Sequence, residues 1–319
     1  MRYVIVGAGS VGAVIGGRLA EAGSDVLLVA RGAHLAALAS AGLRLEEPDR
    51  ARTIAVPAAA QADWRPGDVA LVCVKSQDTA AALRDVPRDV PVVCAQNGVA
   101  NERWAHAAGF ADVYAMCVVL PAELVEPGVV VNSFGPAPGL LDVGRWPDGV
   151  DERAERIVAD LGAAGFRGRA EPAVMRWKYR KLVTNLGNAA DAACDPDDPE
   201  LDALVRTARA EGERAVEAAG IPIASRAEDR ERRGDLRILP VAGRDREGSS
   251  TRQSLRRGST SVEVDFLNGE IVALGARHGI ATPVNAVLQA TLAEMAAAGE
   301  APGSRRAADL LAEAAVRTP

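Results

Sequence analysis

Short β-rich apolar runs alternate with helical patterns through the first half of the chain. Arg2–Val6 is strand-like and Ser10–Glu21 carries helical spacing; residues 26–29 form a second strand, followed by a helical stretch over 34–41. Two further apolar runs occupy 69–74 and 92–95. This rhythm predicts an α/β domain with a parallel sheet covered by helices. Val129–Asn132 and residues 140–143, bounded by Gly and Pro, read as later strands that pair antiparallel. From residue 151 the strand pattern fades, apart from one short candidate near Phe166. Alanine-rich helical stretches take over at 173–193, 199–219, 261–278, 283–298 and 304–316. The change of pattern puts a boundary near 170–172, with an N-terminal domain over 1–170 and a helical domain over 171–319. Two domains suit a chain of 319 residues, which is longer than most single cores.

Composition narrows the class. Apolar residues at 48% and charged residues at 25% fit a soluble globular protein, and aromatics at 3% leave the core to alanine, valine and leucine. A net charge of -6 argues against a nucleic-acid or anionic-membrane partner. The arginine-rich stretch 226–257 is interleaved with Glu228, Asp229, Glu231, Asp235, Asp245 and Glu247, which favours a solvated helix and loop over a phosphate groove. The four cysteines show no Cys-x-x-Cys spacing, and Cys73 and Cys94 fall inside apolar runs, as reduced buried thiols do. The histidines (His34, His106, His278) are scattered, so no metal site is expected. A strand starting at residue 2 fits no signal peptide, and no apolar run is long enough to cross a bilayer. The expectation is a cytoplasmic protein. The alanine-rich C-terminal helices suit either a monomer core or the face of a homodimer.

Gly7-Ala8-Gly9-Ser10-Val11-Gly12 follows the first strand and opens a helix, the context in which G-x-G-x-x-G signals a dinucleotide. Gly7 permits the tight turn, Gly9 lets the backbone approach a pyrophosphate, and Gly12 lets helix and strand pack closely. Free N–H groups at the helix start then meet the anion. The second strand ends in Arg31 rather than the acidic residue that binds a ribose 2′-hydroxyl. A guanidinium there suits a 2′-phosphate, so NADP is the expected cofactor.

Of 37 cationic residues only Lys75, Lys178 and Lys181 are lysines, whose ammonium, unlike a guanidinium, can be tuned to give up a proton. Lys75 ends the third strong strand and Asn97-Gly98 follows the next. Strand carboxyl ends line the ligand crevice of such sheets, so both are expected at the nicotinamide half of the cofactor. Lys181 and Asn185 lie one helical turn apart on one face, an ammonium and an amide suited to an anionic or carbonyl substrate. Lys178 reads as a surface lysine. A last cluster holds Ser250 and, at a helix start, Glu263 and Asp265, where carboxylates are favoured in any case.

In this order and spacing the clusters resemble the ketopantoate reductase (2-dehydropantoate 2-reductase) family across nearly the whole chain. The resemblance rests on Gly7 to Gly12, Arg31, Lys75, Asn97-Gly98, Arg180-Lys181-Leu182 with Asn185, Ser250, and Glu263-Val-Asp-Phe-Leu-Asn-Gly269. It implies a Rossmann-type doubly wound domain, an all-helical C-terminal domain and an active site in the cleft between them. It also implies hydride transfer from NADPH to the ketone carbon of a 2-keto acid. In that scheme Lys181 is the general acid, Glu263 anchors cofactor or substrate hydroxyl, and Asn185 and Ser250 bind substrate. Asn97 bridges cofactor and substrate, and Lys75 positions the nicotinamide end.

Departures from the family pattern bear on the substrate. Ala189 stands where a second substrate-binding asparagine is usual, with Asn188 one place short; Asp195-Pro196-Asp197-Asp198 occupies the place of another. Glu247-Gly248 precedes Ser250 where an amide is common, Ser254 replaces an aspartate and Tyr179 a tryptophan. Carboxylates close to an anionic substrate would oppose it, so the resemblance implies ketopantoate or a related, bulkier ketone. Two alternatives remain open. One is another two-domain dehydrogenase of hydroxyacid or opine type, against which segment 263–269 counts. The other is a catalytically silent nucleotide-sensing homologue, against which Lys181 counts.

Overall fold

The first strand, β1 (Arg2–Val6), is buried along its whole length, because it lies in the middle of a sheet covered on both faces. The computed structural model describes residues 1–244 and 248–317, so Asp245 and Glu247 lie outside the described residues. Contacts divide the chain into two units, Met1–Lys178 with Ala227–Arg246, and Tyr179–Arg226 with Glu247–Pro319.

After β1 come α1 (Ser10–Glu21), β2 (Asp25–Val29), α2 (Gly32–Ala41), β3 (Leu43–Glu46), β4 (Ala51–Ile54) and β5 (Ala58–Ala59). Next are β6 (Asp68–Val72), α3 (Thr79–Arg84), β7 (Val92–Cys94), α4 (Asn101–Ala107) and β8 (Val113–Val119). Then follow β9 (Ala122–Glu126), β10 (Val129–Asn132), β11 (Phe134–Gly135), β12 (Leu140–Arg145) and α5 (Glu152–Ala163). The main sheet has the order β12-β8-β7-β6-β1-β2-β5. Every neighbouring pair is parallel except β8 with β12. The chain steps outward from β1 through β2 to β5, then crosses to β6 and steps outward the other way. This is the doubly wound, Rossmann-type arrangement, with its switch point between β1 and β6.

One face of the sheet packs Tyr3, Ile5, Leu28, Leu71 and Leu141 against α1 and α5; the other packs Val4, Val72, Cys94 and Phe110. Gly16 and Gly17 let α1 come close, since an added Cβ would fall 2.5 Å from Leu28 Cδ2 and 2.6 Å from Leu43 Cδ2 respectively. A second sheet, β4-β3-β10-β9, lies on the outer side of α1; of its strands the sequence reading held only β10, as Val129–Asn132. Arg18 of α1 is fastened to it through a two-oxygen pairing with buried Glu47. Residues 129–132 and 140–143 do pair antiparallel, but with different partners: β10 with β9, β12 with β8. The candidate strand near Phe166 reduces to bridges from Leu140 to Arg167 and Val143 to Ala170. Burial pushes the Cys73 thiol up to about 12, so it is inert at neutral pH.

The helical stretch 173–193 breaks at Leu186 into α6 (Val174–Asn185) and α7 (Gly187–Ala193). It is followed by α8 (Leu201–Ala218), α9 (Arg226–Arg233), β13 (Arg237–Ile238) and α10 (Ser250–Arg256). A 3-10 turn, Glu263–Phe266, leads into α11 (Asn268–His278), α12 (Pro283–Ala298) and α13 (Ala307–Val316). The short α9 is largely solvated, as its mixed charge implies. Arg232 is the exception: it buries against the Trp177 ring, 4.6 Å from the centroid, and pairs with buried Asp142. Within the second unit, buried Glu211 of α8 accepts the Val284 and Asn285 N–H groups at the start of α12, both at 3.0 Å, and the Asn285 amide at 2.8 Å. Among the described residues no helix is long and apolar enough to cross a membrane.

Candidate active site

The glycine turn is shaped by what its residues lack. Gly7 has φ +96°, and a Cβ there would fall 2.6 Å from Val74 Cγ1; at Gly12 a Cβ would fall 2.3 Å from the Gly7 carbonyl oxygen. At Gly9 the same construction meets nothing within 4 Å. Gly9 is the N-cap of α1 and, lacking a side chain, gives no cap hydrogen bond to the first-turn N–H groups of Ser10, Val11 and Gly12. The turn opens into a cleft of about 520 Å³ lined by Gly7, Ala8 and Gly9, by Arg31 and by Trp64. Open space over Gly9 and an N-terminal helix dipole fit a pyrophosphate. Arg31 is exposed at the N-cap of α2, so the structure brings it to the same cleft as the glycine turn. Asp25 opens β2 at the opposite end of that strand.

His34, which carried no site signal in the sequence, also lines the cleft. Its Nε2–H donates to the Ala8 carbonyl at 2.7 Å, and its Nδ1 accepts the Gly128 N–H at 2.9 Å. With one neighbour only an acceptor and the other only a donor, the ring is the neutral Nε2–H tautomer. It rivets α2 to the glycine turn and to the β9–β10 hairpin.

Lys75 and Asn97 each stand three residues beyond their strands, β6 and β7, both half-buried. A buried polar network links their loops. Asn101 Nδ2 donates to the Asn97 carbonyl at 3.0 Å and to Ser76 Oγ at 3.3 Å. The Thr79 hydroxyl donates to Asn101 Oδ1 at 2.8 Å and accepts from Gln96 Nε2 at 2.6 Å. Lys178 corrects the reading of a surface lysine. Its ammonium lies 2.5 Å from Glu102 Oε1 and donates to the Gln96 carbonyl at 3.0 Å, with both side chains almost wholly buried. Spacing along a helix does not reveal that a carboxylate from α4 meets Lys178.

In the second unit Lys181 and Asn185 sit half-buried one turn apart on α6. The preceding Arg180 is buried, donating to the Ala224 carbonyl and to Glu213. Two fastenings bring the later clusters to the end of this helix. The Ser249 N–H donates to Asp191 of α7 at 2.8 Å, and the Ser249 hydroxyl donates to the Asn188 carbonyl at 3.3 Å, which seats Ser250 and α10 on α7. Asn268 donates to the Leu186 carbonyl at 3.2 Å, which ties the turn holding buried Glu263 to the α6–α7 junction.

Residues 3–148 match the family described as ketopantoate reductase PanE/ApbA, and residues 173–296 match its C-terminal counterpart. A 2-dehydropantoate 2-reductase of Halobacterium salinarum is 31% identical over 303 residues, covering 89% of this chain and 95% of that protein. The chain belongs to the ketopantoate reductase family. With that membership it joins the oxidoreductases that act on CH–OH groups. The crystal structure of a family member from Ralstonia eutropha JMP134 superposes with a TM-score of 0.78 at 29% identity, covering 94% of this chain and 99% of that one. A D-mandelate dehydrogenase solved with NADH and anilino(oxo)acetate shares the fold, with a TM-score of 0.77 at 20% identity and coverage of 94% and 99%.

The structure gives the family departures local explanations. Asp195 Oδ1 accepts the Asp197 N–H, while Asp198 accepts the N–H groups of Glu200 and of Ala307 at the start of α13. Those backbone bonds hold the Asp198 carboxyl below its usual range. The acidic run is therefore a turn that binds helix starts. Ser254 is buried and returns its hydroxyl to the Ser250 carbonyl at 2.9 Å, and Ala189 is buried among the helices.

Proposed function

We propose that this ketopantoate reductase family member catalyses the NADPH-dependent reduction of a 2-keto acid, 2-dehydropantoate or a related ketone, to the 2-hydroxy acid. The observation that carries this reading is the pairing of an open Gly9 with Arg31 on one cleft. In it, Gly7 to Gly12 hold the pyrophosphate and Arg31 holds the adenosine 2′-phosphate. Lys75 and Asn97 hold the nicotinamide end, together with Glu263. A bound nicotinamide dinucleotide supplies the hydride. Lys181 donates its ammonium proton to the oxygen of the reduced carbonyl, and its charge stabilises the negative charge developing there. Asn185, Ser250 and Asn97 orient the keto acid. The same reading places the nucleotide-binding domain over 1–170 and the substrate domain, with the face for a homodimer, over 171–319 of a cytoplasmic protein.

Because one structural neighbour was solved with NADH, the deciding experiment compares both reduced dinucleotides. Oxidation of NADPH or NADH is followed spectrophotometrically with a panel of 2-keto acids that includes 2-dehydropantoate and bulkier aliphatic and aromatic ketones. Turnover with NADPH and at least one keto acid is expected. A clear preference for NADH removes the role given to Arg31, and binding without turnover on any ketone leaves a nucleotide sensor.

A further inference from the structure

The two loops assigned above to the nicotinamide end are joined by a buried polar network with one ion pair, Lys178–Glu102. Gln96, whose carbonyl takes the Lys178 ammonium at 3.0 Å, immediately precedes Asn97. Glu102 follows Asn101, the residue whose amide holds the Asn97 carbonyl and Ser76. The pair therefore grips both ends of the Asn97 segment, and through Asn101 and Ser76 reaches the residue after Lys75. The two side chains are 2% and 0% exposed, and Glu102 Oε2 has no hydrogen-bond partner among the described residues. Stability alone is a poor reason for this arrangement, since desolvation offsets most of the attraction within a buried ion pair and an apolar pair fills such space as well. What an apolar pair lacks is the directional hold on the Gln96 carbonyl.

We propose that Lys178 and Glu102 are positioning residues for the nicotinamide end of the cofactor site, keeping Asn97 and Lys75 in their binding geometry before a ligand arrives. The inference rests on the functional reading above, in which those two residues contact that half of the dinucleotide. Removing the pair should release the loops, so that binding must reorder them, a penalty that falls on the whole dinucleotide but not on its adenosine end.

The test uses the full chain and the double variant Lys178→Met/Glu102→Leu, with NADPH and adenosine 2′,5′-bisphosphate as calorimetric probes and melting followed in parallel. Each single variant should melt lower, because it leaves a buried charge unpaired, and the double variant should recover most of that loss. In the double variant NADPH should bind about tenfold more weakly, while the bisphosphate keeps its affinity to within roughly twofold. If the double variant binds NADPH as the parent does, the pair is structural only and the proposal is overturned. Should the double variant fail to fold, Glu102→Gln keeps the shape but removes the charge that holds the ammonium in place. An unchanged ratio of the two affinities in that variant overturns the proposal equally. A parent chain that binds neither probe rejects the cofactor reading itself, and the positioning role falls with it.

Discussion

Two glycines of the same turn should fail in opposite ways when given one methyl group. At Gly12 the new Cβ would lie 2.3 Å from the Gly7 carbonyl, 2.9 Å from Ile5 Cγ2 and 3.0 Å from Cys73 Cβ. The nearest of these is backbone and cannot rotate away, so the overpacking cost belongs at the upper end of the usual range, about 3 kcal/mol. Alanine recovers about 1 kcal/mol of helix propensity, leaving a net loss of about 2 kcal/mol. For a chain of this size Gly12→Ala should melt roughly 4 to 8 °C below the parent. At Gly9 the Cβ meets nothing within 4 Å, and φ -71° with ψ -159° is open to any residue. The weaker N-cap and the reduced freedom of the unfolded chain nearly cancel, so Gly9→Ala should melt within about 2 °C of the parent. Its methyl group, however, occupies the space assigned to the pyrophosphate. NADPH binding should weaken at least about tenfold, equivalent to about 1.4 kcal/mol. Ligand-free melting curves and calorimetric titrations with NADPH measure both quantities. Parental affinity in Gly9→Ala would mean that the pyrophosphate lies elsewhere, and a parental melting point for Gly12→Ala would contradict the close packing described.

Arg31→Ala should weaken NADPH binding about 10- to 100-fold, the worth of charge-assisted hydrogen bonds to a phosphate, and leave NADH affinity nearly unchanged; equal losses for both would remove the 2′-phosphate role. Lys181→Ala should lower turnover by roughly two to four orders of magnitude with little effect on cofactor affinity, and near-parental turnover would end its role as proton donor. Glu211→Gln leaves one of three donors at the start of α12 without its acceptor, so a melting point roughly 5 to 12 °C lower is expected, and a change under about 2 °C would show that the carboxylate does not secure that helix. The hydrogen bond from Arg244 holds the Glu46 carboxyl below its ordinary value of 4.5. A depressed folded-state pKa gives stability that is present above the ordinary value and disappears as pH falls below it. The stability gap between the parent and Arg244→Ala should therefore be widest near neutrality and shrink on acidification; a gap constant with pH would exclude this linkage.

The central strands were legible because strands covered on both faces must be apolar throughout, as β1, β6 and β7 are. In the second sheet β10 was legible as an apolar run, but β3 and β4 were not, because they alternate only briefly, Leu43 and Leu45 inward with Arg44 outward. Local chemistry followed the same division. The glycine turn and the Lys181–Asn185 spacing are fixed by neighbours in sequence and could be read directly. His34 and Lys178 take their meaning from Gly128 and from Glu102, partners distant along the chain that no periodicity reveals. In the acidic run at 195–198, Asp198 likewise takes its partners from the starts of two helices, one of them more than a hundred residues away.

The layering of α1 between two sheets has a bearing on affinity. Residues Gly12 to Gly17 are buried without interruption, and the helix touches β1 and β2 on one side and β3, β4, β9 and β10 on the other. A helix clamped in this manner cannot tilt or slide to greet an incoming anion without disturbing both layers. On the function proposed above, its amino end would be a rigid receptor, and association would forfeit little conformational freedom at that spot.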